Sequence, residues 1–250
     1  MDIKERLEKQ GSTLFKLRSY FPFLILPILV IALQDSALIE QAFGETVERL
    51  FNYFCIAVAF SGLFTRCLTV GYVADNTSGR GTKKQEATTL NTTGMYSIVR
   101  HPLYLGNFIV FAGMTLFIKV WWYYVIAFLA FWLYYERIMI AEEGYLRQKF
   151  GELFAHWAEK TPAFIPNVKA WETPSQKFSY KMVLRREYSG IFAITTYFTI
   201  LHVAQEFIAT GKMQLQLEWA IFFIIGFVLY ITLMILKKTG GTGIYKFTDL

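Results

Sequence analysis

The sequence has almost nothing with which to hold a metal. Of its 250 residues two are cysteine, Cys55 and Cys67, and three are histidine, His101, His156 and His202. Both cysteines sit inside one apolar run, where they read as small buried hydrophobes. Neither they nor the histidines have the spacing of a ligand set, so no metal is expected. No Gly-x-Gly-x-x-Gly is present, which removes the signature of a soluble dinucleotide-binding domain. The Gly-Gly-Thr-Gly run at 240–243 follows an apolar helix rather than a strand, so it is not read as a phosphate loop. Charged residues are scarce, at 18%. The charges of the first turns (Lys4, Glu5, Arg6, Glu8, Lys9) do not resemble a cleaved secretory leader, and a retained first helix is expected.

What the sequence does have is apolar residues, 54% of the chain, and aromatic ones, 18%. They are gathered in runs, and a bilayer is the solvent that accepts such runs. Six segments can span: 20–33 (short, broken by Pro22 and Pro27, and in need of a tilt or of 37–39 to cross), 50–74, 103–118, 121–140, 189–208 and 217–236. Lys119 almost alone separates the third from the fourth, which predicts a tight helical hairpin. The expected fold is therefore all-α: one polytopic membrane domain over 1–250, with about six transmembrane helices and an additional C-terminal helical hairpin at 189–236.

Basic residues set the orientation. Residues 1–19 hold five Lys/Arg, 75–102 four, 141–188 eight and the tail after Leu236 three, against three in the alternate connections. Positive loops stay cytoplasmic, so both termini and the two long connections are expected there. With a net charge of +6 distributed beside apolar segments, anionic lipid headgroups are the expected neighbours, not nucleic acid. The quartet Trp121-Trp122-Tyr123-Tyr124 fits an aromatic belt at the opposite interface. Residues 76–93 and the proline-containing stretch 161–175 read as irregular connections.

Two segments carry chemistry. Where the second cytoplasmic connection enters the third span the chain reads Gly94-Met-Tyr-Ser-Ile-Val-Arg-His-Pro-Leu-Tyr-Leu-Gly-Asn107. Pro102 suits a first helical position and pushes His101 out of helical geometry. Arg100 and His101 should thus project from the mouth of a helix, where exposed N–H groups favour an anion. Gly106 and Gly113 share a face that lets another helix approach closely. The second segment runs from Glu136-Arg137 through Glu142-Glu143 to Phe150-Gly151. Ionisable groups near membrane depth face an interior or a wet cavity. Taken singly, Arg100 reads as a snorkelling arginine, Glu143 as an i,i+4 partner of Arg147, and Arg137 as a partner of Glu136 or of headgroups.

Together, Gly-x-Tyr-x-x-Val-Arg-His-Pro-x-Tyr-x-Gly-Asn, then Gly113, the Glu142-Glu143 pair, Leu146, Phe150-Gly151, Thr161-Pro162 and Pro166 resemble the isoprenylcysteine carboxyl methyltransferase and phospholipid methyltransferase superfamily over about residues 90–168. The resemblance implies an S-adenosylmethionine-dependent membrane methyltransferase with a cytoplasmic cofactor pocket. It implies cofactor contacts from Tyr96, Arg100, His101, Pro102, Tyr104, Gly106, Asn107, Glu142 and Glu143, and catalytic roles for Arg100, Glu143 and Arg137, the last toward a substrate carboxylate. A carboxylate can bond ribose hydroxyls or an ammonium and offset a sulfonium charge. The expected acceptor is an oxygen of a lipid or lipidated molecule, a prenylcysteine carboxylate or a glycolipid phosphate. Methylation of a phospholipid amine is the alternative and would need a base. A sterol-reductase-like enzyme using NADPH is a second class, disfavoured by two carboxylates facing an anionic dinucleotide. A non-catalytic membrane scaffold is the third.

Overall fold

The computed structural model describes residues 2–36, 44–73 and 87–239. The 37–39 extension, Ala74 and the 240–243 run fall outside them. Among the described residues the regular structure is wholly helical. In chain order the helices are α1 (Ile3–Leu17), α2 (Phe21–Ala32), α3 (Glu45–Gly71), the single turn α4 (Met95–Ile98), α5 (Pro102–Leu116), α6 (Trp121–Phe150), α7 (Glu152–Lys160), α8 (Tyr180–Thr210) and α9 (Leu217–Thr239). Four of them, α3, α6, α8 and α9, are long and apolar enough to cross a membrane, and a fifth span exists if α1 and α2, bent by 57° at their junction, are counted as one. α5 has 15 residues, about 22 Å at the helical rise, which is shorter than a hydrocarbon core of about 30 Å.

α1 is the exception in character. It opens with a reciprocal cap, in which Asp2 accepts from the Glu5 N–H and Glu5 accepts from the Asp2 N–H. The helix carries charges on one side and apolar residues on the other. It lies along the second half of α6, and the contact depends on Gly11: a Cβ there would stand 1.9 Å from the Arg137 carbonyl oxygen. Tyr134 Oη donates to the Leu14 carbonyl at 3.0 Å in the same seam.

The centre of the molecule is the α3–α5 pair. A Cβ on Gly62 would come within 2.5 Å of the Val110 backbone nitrogen, and one on Gly113 within 2.5 Å of the Cys55 carbonyl oxygen. Small residues here let two backbones touch, which is how helices associate when the surrounding lipid is as apolar as their side chains. The Gly106–Gly113 face is therefore a helix-contact face, as its spacing predicts, and α3 is its partner. Cys55 is fully buried in this seam. α8 packs on α3, and α9 packs on α8.

α5 and α6 do form a turn at Phe117–Val120, but each packs mainly on another helix: α5 on α3, and α6 on α1. Lys119 forms the corner in the left-handed region, at φ 65°, a conformation that costs a non-glycine residue about 1–2 kcal/mol. Its ammonium is buried and ion-paired with Glu48 at the start of α3. Removing one partner of a buried pair costs about 3 kcal/mol. Lys119→Ala and Lys119→Gly should both lower the thermal midpoint in detergent. Glycine should be the milder change by about 1 kcal/mol, because it also relieves the corner.

Candidate functional site

α6 does not stop at the depth where its apolar residues end. It runs on for 30 residues to Gly151, whose φ of 52° ends the helix, and so carries Glu142 and Glu143 beyond the apolar stretch. Pro102 opens α5 and holds His101 in a non-helical conformation, at φ −121° and ψ 61°. These two local facts bring the two motifs together. His101 Nε2 lies 3.0 Å from Glu143 Oε1 and Nδ1 lies 3.5 Å from Glu142 Oε2. Successive residues of a helix point about 100° apart, so the two carboxylates would be expected to face different surroundings. The buried imidazole enters between them and meets one with each nitrogen.

Arg100 adds a second cation. Its Nε is 2.9 Å from Glu143 Oε1, within ion-pair distance but without the alignment of a hydrogen bond, and this buried nitrogen has no hydrogen-bond partner. Its other end donates to the Ala158 carbonyl at 2.7 Å. Glu143 therefore pairs across the fold rather than along its own helix. Arg147, the competing i,i+4 partner, lies over the Phe154 ring at 5.5 Å.

Tyr104 stacks on His101, with ring centroids 5.6 Å apart, and its hydroxyl bonds Glu142. Tyr104 in turn touches Tyr135 at 5.3 Å. Below the site, α7 and the proline-containing connection close the floor. Trp157 Nε1 donates to the Tyr96 carbonyl at 3.0 Å. The Arg100 N–H donates to the Pro162 carbonyl, and the Asn167 N–H to the Ile98 carbonyl, both at 2.9 Å. The stretch 161–175 is irregular in backbone but fastened to the 94–100 segment.

Beside the site, a cavity of about 250 Å³ opens between the end of α3 and the residues flanking α4. Neutral hydrogen-bonding groups line it, among them Thr69, Asn91, Thr93, Tyr96 and Gln176. Tyr96 joins the cavity to the acidic pair: the charges of Glu142 and of Arg186 both act on its buried phenol.

The structure thus gathers Tyr96, Arg100, His101, Pro102, Tyr104, Glu142 and Glu143 around one spot. Gly106 and Asn107 lie further along α5 and face Arg66 of α3: a Cβ on Gly106 would stand 2.5 Å from Arg66 Cγ, and Arg66 donates to the Asn107 side-chain oxygen. Arg137 lies on the α1 side of α6, where it donates to Gln10 Oε1 at 3.2 Å and to the Leu133 carbonyl at 2.6 Å. Three charged residues near the site are absent from the motif reading. Arg18, between α1 and α2, exerts its charge on Glu142 and Tyr104. Arg66 and Glu187 form a bidentate pair. Arg66 could have been found as a charge inside an apolar run. Glu187 could not, because it falls in a long, generally charged stretch.

The central segment is similar to known proteins. Residues 52–153 match the phospholipid methyltransferase family. The chain is 36% identical over 91 residues to a nickel-cobalt-cadmium resistance protein of Alcaligenes xylosoxydans xylosoxydans, covering 36% of this chain and 42% of the relative. It is 30% identical over 122 residues to a cobalt-zinc-cadmium resistance protein of Cupriavidus metallidurans, covering 46% and 56%. It is 31% identical over 84 residues to the protein-S-isoprenylcysteine O-methyltransferase of Schizosaccharomyces pombe, covering 34% and 36%. The chain thus spans about half the length, or less, of these curated relatives. The family match and the Schizosaccharomyces pombe relative carry the names of the methyltransferase superfamily that the motifs resemble. No solved structure matches the chain.

Burial alone would lower the His101 pKa, but the hydrogen bonds and charges of Glu142 and Glu143 outweigh it and raise the value above that of ordinary imidazole. A raised native pKa means that the protonated form stabilises the fold. That contribution should be complete below about pH 6.5, the unfolded value, and should fade as pH rises through the native value. Thermal melts across this window should show the decline in the wild type and a flatter profile in Glu143→Gln.

Proposed function

We propose that this protein is an integral membrane methyltransferase that uses S-adenosylmethionine and methylates an oxygen of a lipid-like acceptor. One observation carries the reading: the Arg100-His101 mouth of α5 and the Glu142-Glu143 pair of α6, the two halves of the superfamily signature, meet at one partly buried spot. The relatives named as O-methyltransferases and the match to the phospholipid methyltransferase family support it. The Lys/Arg distribution supports a cytoplasmic location for this spot, where the cofactor is made.

The residues present suit such a cofactor. S-adenosylmethionine supplies an electrophilic methyl carbon on a sulfonium, beside an ammonium, a carboxylate and an uncharged nucleoside. Two carboxylates suit the cationic groups, and the Arg100 guanidinium suits the carboxylate. The adjoining cavity, lined by neutral donors and acceptors, suits the nucleoside. Glu142, Glu143, Arg100 and Tyr96 would therefore bind and orient, and Tyr104 with His101 would form the wall.

The acceptor's hydrocarbon has a matching surface. From Tyr104 a row of rings leads between α5 and α6 through Phe108 to the buried Phe131, and the partly exposed edge of this row is formed by Phe108, Trp132 and Phe164. Phe164 from the connection sets its edge against Phe108 at 5.6 Å and Trp132 at 5.2 Å. A prenyl or acyl chain lying there would bring a carboxylate or phosphate oxygen toward the site. Such an anion needs positioning and exclusion of water more than a base.

Purified protein should bind S-adenosylmethionine and transfer labelled methyl to a prenylcysteine or glycolipid acceptor. Arg100→Ala and Glu143→Ala should lower transfer by about 100-fold or more at unchanged expression, and wild-type rates in both would defeat the assignment. Protonation of His101 brings the group of two carboxylates and Arg100 to net neutrality, whereas loss of that proton leaves one negative charge for a cation. Affinity for the cofactor should therefore rise with pH through the His101 titration, and calorimetry at several pH values checks the sign. Mass spectrometry of membrane lipids and lipidated proteins with and without the gene, searching for one added CH2, should name the acceptor.

A further inference from the structure

A bidentate, largely buried ion pair lies outside the signature. Arg66, five residues before the end of α3, is gripped by both oxygens of Glu187 on α8: Nε donates to Oε2 at 2.9 Å and Nη2 to Oε1 at 2.8 Å. The Glu187 side chain is 6% exposed and that of Arg66 23%. Burying such a pair at membrane depth is costly, and an apolar pair of similar volume would hold two helices at least as well. Packing alone does not explain it.

The remaining nitrogen explains more. Arg66 Nη1 donates to the side-chain oxygen of Asn107. An arginine has no acceptor, so it fixes the sense of that amide: oxygen toward Arg66, NH2 toward whatever lies on the far side. Next to it is Tyr135, whose hydroxyl lies within hydrogen-bonding reach of the Asn107 side chain. With the amide so turned, the Tyr135 oxygen accepts and its proton is directed away from Asn107. Tyr135 stacks on Phe131 with centroids 4.1 Å apart and meets Tyr104, the ring against His101, at 5.3 Å. Gly106 belongs to the same device, since any side chain there would collide with the Arg66 stem.

We propose that Glu187 is a positioning residue of the transfer site: through Arg66 and Asn107 it fixes the direction in which the Tyr135 hydroxyl donates, so that the helices beyond the family segment set the geometry of the reacting pocket. The matched segment ends at residue 153, and Glu187 lies beyond it. The C-terminal hairpin thereby has a task apart from spanning. This inference rests on the methyltransferase reading above.

The test uses full-length protein in detergent or nanodiscs, with S-adenosylmethionine affinity, kcat, KM for the acceptor and thermal midpoint measured together. Tyr135→Phe keeps the stacking and removes only the hydroxyl, and Glu187→Gln keeps the shape and loosens the far end of the relay. Each should lower kcat by about 10- to 100-fold, the scale of a small misplacement at a reacting centre, with cofactor affinity within about twofold of wild type. The double variant should be no slower than the slower single one, because both act on one hydroxyl. Wild-type kcat in Tyr135→Phe overturns the proposal, as do multiplicative losses in the double variant. It is equally overturned if Glu187→Gln loses cofactor binding and thermal midpoint in step with kcat, the result of a pair that only holds helices. A wild-type protein that binds no S-adenosylmethionine and transfers no methyl strikes the proposed function itself, a separate result from any of these.

Discussion

The meeting of His101 with Glu142 and Glu143 is the contact on which the rest of the arrangement depends. Two acidic side chains at the border of an apolar region repel each other and lose hydration, and either alone would tend to take up a proton. An imidazolium between them, with Arg100 beside one, reverses that balance. The contact joins residues some forty positions apart and so sets how α6 lies relative to the mouth of α5. It requires Pro102 to hold His101 out of the helix and requires α6 to run on past its apolar residues. Both conditions are properties of the local sequence.

Around that contact the helices divide their work. α3 and α5 make the close seam, possible only because Gly62, Gly106 and Gly113 carry no side chain where backbones touch. α6 leans on α1 rather than on its sequence neighbour α5, so the space between α5 and α6 is filled by rings instead of backbone. α8 and α9 complete the far side, and α8 reaches inward with Glu187.

Much of this was legible in the amino-acid order, and the rest was hidden for definite reasons. Apolar runs gave the helices, Pro102 gave the start of α5, and the spacing of Gly106 and Gly113 gave a contact face. The motif residues gave a resemblance that the family match over 52–153 shares. Partner choice was not available, because a glycine face states that something approaches but not what. The α5–α6 hairpin thus suggested a packed pair where the close partner is α3. The same limit applied to Asn107, a motif residue whose side chain faces Arg66, and to Arg137, whose hydrogen bonds run to Gln10 and its own helix. Adjacent carboxylates on a helix suggested separate surroundings, and only the third body, His101 wedged between them, made them share one.

The uninterrupted length of α6 has a further consequence. It runs about 45 Å as one rod to Phe150, and the acidic pair stands about 33 Å from the turn beside Lys119 and Glu48. A rod of fixed length meets a thinner or thicker bilayer by tilting. Tilt would raise or lower Glu142 and Glu143 relative to the plane of the lipid phosphates, and with them the depth at which an acceptor headgroup must present itself. On the proposed methyltransferase reading, the thickness of the host membrane would enter the choice of acceptor as a geometric variable, alongside the chemistry of the headgroup.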